Sequence, residues 1–325
     1  ANSGDIDDGL SPLIGTRPLC GDECQLSEAN QDQNGTAFAL GFNSKSIFAD
    51  IGYMASGFEE KGWVGGIRWR TSLSDIGLSL SLSKRAVNGS LLSLAGIKDP
   101  YSGIEMGGAK LTNAAATFSY NTGAGWGIWL LTDIGQITAN ATPDNLRKRL
   151  LFGYYANAYS SEEFNVGVGL NFYTWQYDKN LSRYTLGHSG YYSPQEYQSA
   201  SIPIRLYGRF GDLSYQVSLG YSASESETEE IEYFPQSSSL PEGTDLNLIS
   251  DLNYSGSTGS GESYYVIANL EYKITNHWSI GTQMKVQRSE FYEPDSFYVY
   301  ARFYFDDNYL PVHTPPKPLV PYIEY

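Results

Sequence analysis

The chain is 325 residues long and carries 21 Lys+Arg against 36 Asp+Glu, a formal net charge of −15. A nucleic-acid partner needs a basic patch to meet the phosphate backbone, and none is visible, which excludes that class. No run approaches the ~18 apolar residues that a membrane helix requires, while 27 Tyr and 34 Gly against 3 Met favour strands, turns and aromatic girdles.

Residues 1–35 are polar, rich in Gly, Asp and Asn, and without periodicity, so they read as an N-terminal extension. The start, Ala1-Asn2-Ser3-Gly4, has no basic or apolar signal segment, as in a mature exported protein or a trimmed chain. Cys20 and Cys24, in Leu-Cys-Gly-Asp-Glu-Cys, have the spacing of a small disulfide ring formed in an oxidising compartment. A metal site would want more soft ligands nearby, and His188, His277 and His313 are all distant. Neither metal nor cofactor is expected.

From Thr36 the side chains alternate. Phe38, Leu40 and Phe42 face one way, and Ala39, Gly41 and Asn43 the other. The pattern continues through residues 47–53, 63–71 and 76–82. Residues 84–112 are less regular, but apolar stretches at 91–95 and 104–111 count as a strand pair. Further strands are expected at 115–121, 125–133, 150–159, 165–177, 183–187, 199–209, 213–222, 264–275, 278–287 and 296–305. The segment 165–177 is the clearest: Val166, Val168, Leu170 and Phe172 on one face, Asn165, Asn171, Tyr173, Trp175 and Tyr177 on the other. Residues 36–305 therefore read as an all-β, transmembrane antiparallel β-barrel of about 16 strands with a wet interior, in contact with outer-membrane lipid.

Tight connections at 121–125, 160–163, 210–212 and 276–277 contrast with the long, Ser/Gly/Glu-rich segment 223–263. Its run of Glu225, Glu227, Glu229, Glu230 and Glu232 reads as a solvated loop facing the exterior. Residues 306–325 form a proline-rich tail, in which Pro311, Pro315, Pro316, Pro318 and Pro321 forbid a central strand.

Projecting the alternation inward gives a lumen with Tyr173, Trp175, Tyr177, Arg205, Tyr300, Arg302 and Tyr304 among its side chains. Tyr and Trp offer a flat apolar face and a polar edge, which suits sugar rings. For Trp175 and Tyr177 the rival assignment is the interfacial aromatic belt. Tyr191, Tyr192 and Tyr197, in Gly-Tyr-Tyr-Ser-Pro-Gln-Glu-Tyr, read as a rim or gate, with Asp178 and Arg183 bonding sugar or holding that loop. His188, in a Gly-His-Ser-Gly turn, reads as a surface histidine. No carboxylate pair is singled out for glycoside hydrolysis, and no Gly-x-Ser-x-Gly elbow supports a hydrolytic triad, so no catalytic residue is expected.

Three separated blocks carry a family resemblance. RAVNGSLLSLAGIKDPYSG (85–103), WQYDKNLSRYTLGHSGYYSPQEY (175–197) and PPKPLVPYIEY (315–325) resemble the C-terminal domain of bacterial cellulose synthase operon protein C. The resemblance implies a 16-stranded outer-membrane barrel through which a nascent glucan leaves the cell. It also implies two partners: a periplasmic scaffold of tetratricopeptide repeats and an inner-membrane synthase that pushes the polysaccharide chain. No such repeats are visible, which reads as a stand-alone relative or an excised domain. Export of cellulose or a related exopolysaccharide is the leading expectation. A structural or adhesive barrel, its acidic segment against the extracellular matrix and its lumen plugged by the tail, is the alternative.

Overall fold

A computed structural model describes residues 14–19, 34–99, 101–240, 246, 252–289, 295–305 and 315–316. Cys20, Cys24 and nearly all of the 306–325 tail lie outside the described residues. The strands are β1 (Phe38–Asn43), β2 (Ile47–Tyr53), β3 (Trp63–Leu73), β4 (Ile76–Ala86), β5 (Ile97–Lys98), β6 (Glu105–Asn121), β7 (Trp126–Asn140) and β8 (Thr142–Ser160). They continue with β9 (Phe164–Tyr177), β10 (Glu196–Phe210), β11 (Leu213–Thr228), β12 (Ile231–Glu232), β13 (Asn253–Tyr254), β14 (Ser257–Lys273), β15 (Trp278–Ser289) and β16 (Asp295–Phe303).

Thirteen of these form one antiparallel meander, β1-β2-β3-β4-β6-β7-β8-β9-β10-β11-β14-β15-β16, with β5 beside β6 and β12–β13 a separate small sheet. Nearly every long strand pairs with its neighbour in sequence, as the alternation and tight turns require. The closed barrel expected from the sequence is not completed: among the described residues no ladder joins β1 to β16. With an odd number of antiparallel strands the first and last run in the same direction, so these two edges cannot close such a ladder.

Alternation places large apolar groups on the outer face. Leu40, Ile67, Phe118, Phe172, Ile204 and Val266 are all exposed there. So large an uncovered apolar surface suits hydrocarbon rather than water. On β11 the outward side chains are apolar from Leu213 to Tyr221, about the 9–11 residues that cross a bilayer. Beyond that band β11 continues with Glu225 and Glu227 outward, paired with Ser260 and Thr258 of β14. The segment expected as a loop from 223 to 263 is thus wall at both its ends: β11 runs to Thr228 and β14 starts at Ser257, the β11–β14 ladder continuing unbroken to the Thr228–Ser257 pair, and 229–256 is the connection between them.

Inside, rings and glycines pair across strands. Tyr300 lies over Gly281, Tyr265 over Gly220, Tyr155 over Gly127 and Trp129 over Gly153, each pair in direct register. A Cβ on any of these glycines would meet the ring. The ring covers the bare glycine backbone, and the glycine lets the ring lie flat along the wall. These pairings give a geometric reason for Gly281, Gly220, Gly127 and Gly153.

Six short turns (44–46, 74–75, 122–125, 161–163, 211–212, 274–277) fall at one end of the sheet, and the long connections 54–62, 87–104, 178–195 and 229–256 fall at the other, together with the one-residue β7–β8 turn at Ala141. Two expected strands are absent there. Residues 91–95 form a short helix α1 (Leu91–Ala95), because Ser90 and Ser93 make a reciprocal capping box. Residues 183–187 form a loop whose Thr185 makes only an isolated parallel bridge with Gly15.

Candidate functional site

At the long-connection end four separated segments build a cap with the molecule's true hydrophobic core. Ile14, Leu92, Ile97, Met106, Leu186 and Phe234 are each 4 % exposed or less and pack together. Leu186 N donates to Gly15 O (3.1 Å) and Gly15 N to Tyr184 O (2.9 Å), stitching the N-terminal segment to the 178–195 loop. Asp99 accepts from Thr16 Oγ1 (2.5 Å) and Thr16 N (3.1 Å). The loop turns into the barrel mouth rather than away from it, since Leu181 and Tyr191 pack on Tyr177 and Ile137 of the inner face.

His188 is at the centre of this cap and fully buried, which overturns its assignment to the surface. A Gly-His-Ser-Gly turn reads as exposed only in isolation. Here Gly187 sits at φ +100°, and a Cβ there would meet Pro235 and Gln236 at 2.8 Å, so the turn is pressed against the segment after β12. His188 Nε2 lies 3.3 Å from Glu232 O, its ring stands edge-on to Tyr254 at 5.5 Å, and Nδ1 has no partner. Burial, with a smaller contribution from Arg183, lowers its pKa to about 4.

The sequence-derived residues fall in two groups. Six rings form one continuous cluster at the inner mouth. Trp175 is its hub, with centroids at 5.5 Å to Tyr173, 5.6 Å to Tyr177, 6.1 Å to Tyr192 and 5.4 Å to Tyr197. Tyr177 adds Tyr191 at 5.8 Å. The β9–β10 register explains the convergence, because Trp175 pairs with Tyr197 and Tyr173 with Ser199. Tyr191 is buried, its hydroxyl accepting from Asn145 Nδ2 (3.0 Å), whereas Tyr192 is 47 % exposed. Trp175 Nε1 is buried among the rings with no acceptor. Asp178 is exposed, and Arg183 stacks 4.9 Å over Tyr254, tying the loop to β13.

The second group, Tyr300, Arg302 and Tyr304, stands at the short-turn end and converges on Glu271. Its carboxylate accepts from Tyr300 OH (2.7 Å), Tyr304 OH (3.0 Å), Arg302 Nη1 (3.0 Å) and Ser279 Oγ (2.9 Å). Four donors on one carboxylate stiffen the wall and leave the ring faces as these tyrosines' remaining surface. Arg205 lies apart from both groups, exposed on the inner face of β10.

A third cluster escaped the sequence reading. Asp133 accepts from Arg147 Nη2 (3.2 Å) and Arg149 Nε (2.7 Å), with Tyr173 and Tyr177 beside the two guanidiniums. β7 and β8 extend well past the expected ends at 133 and 150, and Lys148 on the outer face had masked the alternation of Asn145, Arg147 and Arg149.

An antiparallel meander with an apolar outer band, a polar and aromatic inner face and a folded cap at the long-loop end defines a transmembrane β-barrel protein. The family model described as cellulose synthase operon protein C C-terminus matches residues 2–306, and the chain belongs to that family. The cellulose synthase operon protein C of Escherichia coli (strain K12) is 32% identical over 308 residues, covering 93% of this chain and 26% of that protein. Its counterpart in Salmonella typhimurium is 31% identical over 91% of this chain and 25% of that one. This chain thus spans about a quarter of the length of these relatives. Among solved structures, a bacterial polysaccharide outer membrane secretin superposes with a TM-score of 0.49 at 10% identity, covering 82% of this chain and 78% of that one.

Proposed function

We propose that this chain is an outer-membrane conduit for an exopolysaccharide, cellulose or a related glucan, and that it carries out no reaction of its own. The protein lies in the bacterial outer membrane, with the short turns in the periplasm and the cap outside, the usual asymmetry of such barrels. An inner-membrane synthase supplies the push, and a periplasmic tetratricopeptide-repeat scaffold delivers the polymer to the barrel. The observation that carries the reading is the six-ring cluster around Trp175, at the inner mouth of a chain from this family.

Adjacent rings at 5.4–5.6 Å around Trp175 offer successive apolar faces to a pyranose chain, each contact weak enough to be exchanged for the next. The unpartnered Trp175 Nε1 gains a sugar hydroxyl as acceptor once the cap moves aside. Asp178 and Arg183 serve the loop, Arg183 as its latch on Tyr254. Residues 36–305 are the barrel, residues 1–35 an extension that contributes to the cap through 14–19, and 306–325 a separate tail.

Trp175→Ala tests the reading. Secreted polymer falls several-fold while heat-modifiable migration of the folded barrel is unchanged. Normal secretion from a folded variant would remove Trp175 from the track, and a wild-type barrel that never conducts in planar bilayers would favour the structural alternative.

A further inference from the structure

Charge on this chain is sorted by face. The whole carries −15, yet each carboxylate on the inner face of the strands is already matched by arginine. Asp50 takes both Nη atoms of Arg85 (2.6 and 2.7 Å), Asp133 takes Arg147 and Arg149, and Glu271 takes Arg302. Further cations share that face: Arg70 is bonded to Asn43 Oδ1 and the Ser44 and Lys45 carbonyls, while Arg68, Arg205 and Lys285 have no carboxylate partner among the described residues. Arg68 lies against the Phe48 ring at 5.9 Å, Arg205 lies near Tyr265, and Lys285 stands on β15. Arg68 and Arg205 are exposed on the inner side, open to lumen water. Arg205 pairs with Ser218, Ser218 with Ile267 and Ile267 with Lys285, so Arg205 and Lys285 share one register row three strand spacings apart, about 14 Å. The acid lies elsewhere: Glu196, Glu225, Glu227 and Glu262 point outward on the extended ends of β10, β11 and β14.

We infer that Arg68, Arg205 and Lys285 make the inner face selective for anionic cargo, so that the glycan passing through bears acidic substituents. This rests on the export reading and names the class of its substrate. A neutral glucan needs stacking faces and hydroxyl partners alone. Unmatched cations in a narrow aqueous passage draw counter-ions, and a polymer carrying carboxylate or phosphoryl groups supplies them. Arg68 on β3 stands apart from the Arg205–Lys285 row, so the cations are spread over the wall and none forms a tight pocket.

The test compares cellopentaose with a cellopentaose bearing 6-carboxylates, each titrated against the full chain in detergent micelles and followed by tryptophan fluorescence. The acidic oligomer binds about tenfold more tightly at low ionic strength, a difference of ~1.4 kcal/mol. The ratio falls towards one at high salt, where screening shortens to ~3 Å at 1 M, and in the folded triple variant R68Q/R205Q/K285Q. If the triple variant does not fold, R205Q alone, at an exposed position, halves the ratio or more. Equal affinities for the two oligomers, or a ratio unmoved by salt and substitution, overturn the charge inference while leaving export standing. Binding of neither oligomer overturns the export reading, and this inference with it.

Discussion

Acidification strains the cap through His188. The buried ring holds a pKa of about 4, against an ordinary value near 6.5 when the cap is open to water. The closed form therefore binds fewer protons than the open form between those values, and cap stability falls as pH drops from 6.5, with the whole effect reached by about pH 4. At pH 5 the linkage amounts to about 2 kcal/mol, roughly a thirtyfold rise in the open fraction. The groups facing the ring are the Arg183 guanidinium, which adds to the penalty, the Glu232 carbonyl, and Tyr254. Limited proteolysis of the 178–195 loop, or amide exchange at Thr185 and Leu186, measures opening between pH 7.5 and 4.5. His188→Gln removes the titration but keeps a hydrogen-bonding side chain, so the difference between wild type and variant isolates this residue from other acids in the cap. A wild-type opening rate flat across that range, or a pH dependence that survives intact in His188→Gln, would refute the reasoning.

Other outcomes follow from the same geometry. Glu271→Ala leaves Arg302 and two tyrosine hydroxyls without their shared acceptor on the inner wall, and urea unfolding in lipid vesicles should show a loss of about 3 kcal/mol. Glu271→Gln, which keeps an acceptor of the same volume, should lose less. Gly187→Ala forces a Cβ against Pro235 and Gln236 at positive φ, so the cap should open to protease at neutral pH while the barrel keeps its heat-modifiable migration. Asp133→Asn should weaken the β7–β8 wall by about 2 kcal/mol, because two guanidiniums lose their carboxylate. A stability unchanged from wild type would mean that lumen water already solvates both.

The wall was readable and the cap was not, for a physical reason. A strand between hydrocarbon and water must alternate at every second residue, so segments such as 165–177 announce both their conformation and their facing. The signal fades where the outer face leaves the lipid: past Tyr221 on β11 and at Lys148 on β8 the outward residues are polar, and both strands were read short. The aromatic cluster was legible because five of its rings lie close to one strand end and the loop it enters. The cap has no period at all. Its core joins Ile14, Leu92, Met106, Leu186 and Phe234, residues brought together only after the meander has placed their strands side by side. A lone apolar residue in a polar loop carries no such information, and His188 was misplaced for that reason. The one local sign of order, the Ser90–Ser93 capping box before Leu91–Ala95, was present in the sequence and is what separates a helix from the strand expected there.

The rim formed by β11 and β14 has a mechanical consequence. These strands are 16 and 17 residues long, while β1 and β2 have 6 and 7. At ~3.3 Å per residue and a tilt near 40°, the long pair rises ~40 Å, roughly 15 Å clear of an apolar band ~25 Å tall. The mouth is therefore cut on a slant, like a quill nib, high on one flank and low on the other. A stiff thread leaving such an opening is supported along the tall flank and unsupported on the short one, so it bends away from the tall flank. If the chain exports a polymer as proposed, the difference in strand length sets the direction in which that polymer leaves relative to the cell surface.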